Sequence, residues 1–76
     1  MQDNEEKIRV GERVQIFLSA KTFGQEGWFN GLVIRIDPYS LHRSFYWVEL
    51  DAEAQALLGG GVKLISVLNP KHIQKV

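Results

Sequence analysis

Trp28, Phe29, Phe45, Tyr46 and Trp47 gather most of the large aromatic area of this chain onto two apolar stretches. Set on neighbouring strands, with Phe23 on a nearby loop, they would form an aromatic face. Such a face stacks on a partner's apolar, cationic or methylated side chain. The same residues also suit a thin core, which needs large side chains to fill it. Phase separates the two uses. Tyr46 falls in step with Val48 and Leu50, the better core face. Phe45 and Trp47 fall on the opposite side, outside the core or under a loop.

Arg35, Arg43, Lys21 and Lys63 could line a groove with these aromatics, as single-stranded nucleic-acid binders do. Formal net charge is zero, from nine basic and nine acidic side chains, which weighs against this because phosphate neutralisation dominates such affinity. The charge is nevertheless uneven. From Gly59 to Val76 the chain carries Lys63, Lys71, His72 and Lys75 and no acid, while Asp3, Glu5 and Glu6 load the other end. Three lysines commonly make plain solvated surface, and they can equally make a local basic patch.

Other chemistry has little to stand on. The chain has no cysteine, which excludes disulfides, thiolate metal sites and cysteine nucleophiles. His42 and His72 lie far apart with no cluster of carboxylates, whereas a metal needs three or four converging ligands. Ser40, Ser44 and Ser66 have no evident base with an orienting acid. Gly59-Gly60-Gly61 precedes a strand and lacks the lysine and hydroxyl of a phosphate loop, so it reads as a hinge or turn. Asp51 and Glu53 read as a helix-capping pair. No catalytic site, metal or cofactor is therefore expected, and the protein is read as a non-enzyme.

A chain of 76 residues has room for a single domain with a thin core. Hydrophobic residues make up 45% and charged residues 24%, the balance of a folded chain and not a disordered one. No apolar run approaches the ~20 residues that span a membrane, and the N-terminus lacks the order of a signal peptide. The expectation is a soluble, cytoplasmic protein.

The elements follow from alternation and punctuation. Met1–Lys7 is polar and acidic and is expected to be a frayed, disordered end, leaving one domain over residues 8–76. Val14, Ile16 and Leu18 alternate with Arg13, Gln15 and Phe17, which predicts a first strand from Arg13 to Leu18 after a turn at Gly11-Glu12. Ser19 to Glu26 reads as a loop whose one large apolar residue is Phe23. The second strand runs from Gly27 to Asp37-Pro38, where proline stops the pairing. Strict alternation would put Trp28, Leu32, Ile34 and Ile36 on one side. A bulge near Gly31, the preferred reading, sends Val33 and Ile36 inward instead. Tyr39 to Ser44 reads as a polar connector, Phe45 to Leu50 as a third strand, and Asp51 to Leu58 as a short helix or turn stopped by Gly59. Val62 to Leu68 is a fourth strand, Asn69-Pro70-Lys71-His72 a tight turn, and Ile73 to Val76 a short last strand.

Five short strands, one long and bent, with a helical or turn insertion before the fourth, predict an all-β fold closed into a small barrel. Closure would remove the free edges of an open sheet. The chain resembles the SH3-like barrel superfamily in Gly11-Glu12-Arg13-Val14, in Gly31-Leu32-Val33-Ile34-Arg35-Ile36 as the bent second strand, and in Pro70-Lys71-His72-Ile73-Gln74-Lys75-Val76 as the single turn and last strand. Within it, Trp28-Phe29-Asn30-Gly31-Leu32-Val33 followed by Tyr46-Trp47-Val48-Glu49-Leu50 looks like the Tudor and Agenet group, which implies binding of modified or basic peptides in an aromatic cage. The layout around Ile36-Asp37, with an insertion before the last strands, is similar to the small stromal-side subunit of photosystem I and related accessory proteins of photosynthetic electron transport, which implies docking of a partner. Gly61-Val62-Lys63-Leu64-Ile65 is similar to the pore segment of the tetrameric plasmid-borne dihydrofolate reductases. Lys63 and Ile65 stand where that family has the glutamine and tyrosine that hold its nicotinamide and pterin.

The expected function is an interaction module that docks a protein partner, or a second copy of itself, through Phe23, Trp28, Phe45, Trp47 and Arg35. The alternative is nucleic-acid binding through Arg35, Lys63, Lys71 and Lys75, and a more distant one is an oligomeric reductase with its site on a symmetry axis. Trp47→Ala is expected to leave the domain folded and to change its association. Unfolding like that of a core variant, seen by thermal denaturation, would sink the assignment of Trp47 to a contact.

Overall fold

The computed structural model describes residues 8–76, so the expectation of a frayed Met1–Lys7 lies outside the described residues. Five antiparallel strands form one sheet: β1 (Arg13–Leu18), β2 (Gly27–Pro38), β3 (Ser44–Leu50), β4 (Leu64–Val67) and β5 (Ile73–Lys75). Their order across the sheet is β4-β3-β2-β1-β5. Three short helical pieces join them: α1 (Ala20–Phe23), α2 (Ala52–Leu57) and a 3-10 turn at Pro70–His72. The all-β expectation with an insertion before the fourth strand is met at this level. β4 and β5 are the edges of the sheet, and no strand pairing joins them among the described residues, so the sheet is open where closure was expected.

β2 is the shared strand. Its first half, Gly27 to Leu32, pairs with β1, and its second half, Gly31 to Pro38, pairs with β3. The two partners flank it together only around Gly31 to Val33. Just before β1, the N–H of Gly11 donates to the Val33 carbonyl at 2.7 Å and the N–H of Val33 donates to the Glu12 carbonyl at 3.0 Å, which carries the β1 side of the ladder one residue further. The register with β3 then slips between Val33 and Arg35, leaving Ile34 as the extra residue of a bulge.

The bulge sits at Ile34 and not at Gly31, a correction to the sequence reading. Its consequence is the expected one. Phe29, Gly31 and Val33 face the core, and after the slip Ile36 also packs against it. Gly31 has another task. A Cβ built there would lie 2.5 Å from Val48 Cγ1 and 2.8 Å from the Glu49 carbonyl oxygen, so only glycine lets β3 come this close.

Val14, Ile16, Val33 and Val48 are fully buried, and Leu18, Phe29, Leu50, Ala54, Val67 and Ile73 complete the core around them. No polar side chain is buried among the described residues, so no desolvated polar group has to be matched inside. Tyr46 is half-buried against the core, as its phase predicted.

Two local readings change. The loop from Ser19 to Glu26 holds the single turn α1, closed by Gly24 at φ +83° with its N–H on the Ala20 carbonyl at 2.8 Å. Asp51 precedes α2 but caps nothing with its side chain. Its carboxylate takes the Arg13 guanidinium at 2.6 Å, while its backbone N–H bonds the Asn30 carbonyl at 3.0 Å and ties α2 to the sheet. β4 and the third strand also have slightly different limits, Leu64–Val67 and Ser44–Leu50.

Gly31→Ala is expected to lower stability by about 1–3 kcal/mol through forced separation of β2 from β3. The urea midpoint should fall with the slope of the transition unchanged. An unchanged midpoint would show that the two strands have room to spare.

Candidate functional site

The slip at Ile34 decides what stands on the outer surface. Beyond it, Arg35 lies opposite Trp47 and Asp37 opposite Phe45, and all four point away from the core. Asp37 joins the group. One carboxylate oxygen accepts from Arg35 Nε at 2.9 Å, and the other accepts from the Trp47 indole Nε1 at 3.1 Å. The indole is thereby fixed at half burial, with its one polar atom satisfied. Asp37 and Arg35 are mutually compensated at the surface, where an ion pair adds little to stability.

The β2–β3 hairpin extends this face outward. The N–H groups of Tyr39 and Ser40 both donate to the Arg43 carbonyl at 3.0 Å and close the tip. Tyr39 meets Phe45 edge to face, with ring centroids 5.4 Å apart. Leu41 projects from the tip at 95% exposure, and Tyr39 beside it is 61% exposed. The segment read as a polar connector thus carries the most exposed large apolar side chain among the described residues. His42, also in the tip, is exposed.

Of the five residues expected to form one face, the structure brings together Phe45, Trp47 and Arg35. Trp28 does not join them. It lies near the start of β2, opposite Phe17, and the two rings meet edge to face at 5.6 Å, with the His72 ring 5.7 Å from that of Phe17. Most of β2 separates this cluster from Trp47. Phe23 packs against the core from α1 and lines a groove of about 350 Å³ with Phe17, Leu18, Ile65 and Val67. The single aromatic face is therefore two clusters and a groove, because β2 is long enough to carry Trp28 and Arg35 at opposite ends. A smaller groove of about 210 Å³ runs between Trp28 and α2, with Asp51 and Glu53 on its wall.

The cations proposed for nucleic acid are dispersed. Arg35 is held by Asp37, Lys75 Nζ lies 3.9 Å from Glu12, Lys63 immediately precedes β4, and Lys71 lies in the 3-10 turn that leads into β5. Among the described residues no three His, Asp or Glu side chains converge on a point that could hold a metal ion.

Asp37, Tyr39 and Leu41 are the contributors that sequence reasoning missed. In the sequence Asp37 reads as half of the Asp37-Pro38 stop, although alternation alone places it on the same strand face as Arg35. No protein-family model, curated protein or solved structure matches this chain.

Asp37→Ala is expected to destabilise the fold by about 1 kcal/mol and to speed exchange of the Trp47 indole N–H, seen by NMR. Arg35→Ala should change stability by less than about 0.5 kcal/mol, since its side chain is 69% exposed. A larger effect from Arg35 than from Asp37 would reverse the assignment of Asp37 as the group that seats the indole.

Proposed function

We propose that this chain is a non-enzymatic interaction module of the SH3-like barrel type, and that it docks a protein partner through the outer face and tip of the β2–β3 hairpin. The observation that carries the reading is Leu41, 95% exposed next to Tyr39 at 61%. A leucine left wholly in water gains roughly 1.5–3 kcal/mol when a partner buries it. Behind it lies a rigid base: Tyr39 on Phe45, and Trp47 seated on Asp37. Aromatic anchors fixed in advance lose little conformational freedom on binding, which is what makes such residues effective at interfaces. The strand order β4-β3-β2-β1-β5 with a 3-10 turn leading into β5 supports the SH3-like part of the proposal. The resemblance to docking subunits of the same superfamily points the same way.

A photoreactive residue in place of Leu41 is expected to crosslink a distinct protein in lysate of the native host. The pair Tyr39→Ser and Leu41→Ser should abolish its recovery on a pull-down while the domain stays folded, at a cost of about 0.5–1.5 kcal/mol for the lost Tyr39–Phe45 ring contact. Leu57→Ser, at an exposed leucine on α2, serves as the control and should leave recovery intact. Equal recovery with the tip variant and the control would defeat the reading. A doubled mass in sedimentation that the tip variant halves would make the partner a second copy of this chain.

A further inference from the structure

We propose that the free edge of β4 accepts an extended, acid-flanked peptide strand of a partner, which pairs with the backbone of Leu64 and Ser66 and sets an apolar side chain into the groove beside Phe17 and Phe23. This surface is separate from the hairpin tip.

The edge is open in a defined phase. The N–H of Leu50 donates to the Lys63 carbonyl at 2.9 Å, and the register continues as Glu49 with Leu64, Val48 with Ile65, and Trp47 with Ser66. In an antiparallel ladder the bonded pairs alternate, so Lys63, Ile65 and Val67 turn their backbone groups toward β3. Leu64 and Ser66 turn theirs away. Among the described residues neither makes a backbone hydrogen bond outside the ladder. Four residues with no charge and no proline make this edge, so only its shortness blunts it, and a short partner strand suffices to cover it.

Next to the edge lies an apolar recess. Ile65, Ser66 and Val67 form one wall of the 350 Å³ groove, and Phe17, Phe23 and His72 face them from β1, α1 and the 3-10 turn. A strand laid along β4 alternates its side chains, so every second one enters this groove. That combination of backbone pairing with a pocket for alternate side chains is how added strands gain both affinity and selectivity.

Charge selects the flanks. Lys63 and Lys71 bracket β4 in sequence, and among the described residues neither has an ion-pair partner. No acid lines the groove, and none occurs from Gly59 to Val76. An incoming strand with carboxylates beyond its apolar centre meets Lys63 just before β4 and Lys71 on the 3-10 turn whose His72 lines the groove, whereas a basic one is repelled.

The test uses a pool of synthetic peptides roughly eight residues long, with glutamates at both ends and alternating Val, Ile, Leu or Phe with Thr and Ser between them. Two-dimensional NMR of the whole chain is expected to show shifts at Leu64, Ser66, Phe17 and Phe23, with slowed exchange of the Leu64 and Ser66 amides. Ser66→Pro removes an outward N–H and should abolish the shifts. Lys63→Glu with Lys71→Glu should weaken binding about tenfold and reverse its salt dependence. Peptides N-methylated on the pairing side supply a control on the unaltered protein, should Ser66→Pro fail to fold. Leu41→Ser should leave all these shifts intact, which separates this proposal from the hairpin reading. Equal binding of the N-methylated peptides would overturn it. So would the absence of shifts at about millimolar peptide, or a self-paired dimer that occupies β4 and is split by Ser66→Pro.

Discussion

The approach of β3 to Gly31 is the constraint on which this fold depends. β2 is claimed by β1 along its first half and by β3 along its second, and both partners meet it only around Gly31 to Val33. At that crossing Val48 Cγ1 and the Glu49 carbonyl occupy the space a side chain would need. A glycine elsewhere in the strand would not serve, because only the doubly flanked residues must bring both ladders and the core together. The fully buried Val14, Val33 and Val48 surround this point, so the close backbone approach lies among fully buried side chains.

From the same crossing follows the character of the outer surface. Once β1 lets go of β2 after Val33, the strand has only β3 to match, and Ile34 is left over. That single residue puts Arg35 and Asp37 on the outside and returns Ile36 to the core. Without the slip, Arg35 and Asp37 would point inward and nothing in the interior could satisfy them. The bulge is thus compelled by the sequence around it, and the Asp37–Trp47 bond exists because the bulge does.

The strands were legible because each has one wet and one dry face. β1 is readable to the residue from Val14, Ile16 and Leu18 alternating with Arg13 and Gln15. The inward turn of Val33 and Ile36 was legible too, since Arg35 cannot sit in a core of this size. The bulge position was not. Gly31 is the residue that commonly marks a bend, and its real use depends on Val48 and Glu49, which are distant in sequence. The candidate site was legible only in part for a similar reason. Alternation separates Trp47 from Val48, but it cannot tell that β2 carries Trp28 and Arg35 at opposite ends against different partners. Nor can composition find Leu41, whose exposure comes from a hairpin tip closed by backbone bonds to Arg43.

The open sheet gives the chain two unlike surfaces that do not compete for the same residues. At the hairpin, exposed side chains stand on a closed turn whose backbone is already bonded. At β4 the arrangement is the reverse: the backbone groups of Leu64 and Ser66 turn away from β3 and the side chains of Ile65 and Val67 are turned inward. The first kind of surface selects by shape and apolar area, and the second by the ability to become a strand. Closing the barrel by pairing β4 to a neighbour within the chain would satisfy the edge and remove the second surface. The sequence does not do so, because Asn69-Pro70 ends β4 after four residues and turns the chain into the 3-10 segment that delivers β5 to β1. Asn69 accepts the Lys71 N–H at 2.9 Å to hold that turn, so the edge is left open by a specified structure and not by a missing one.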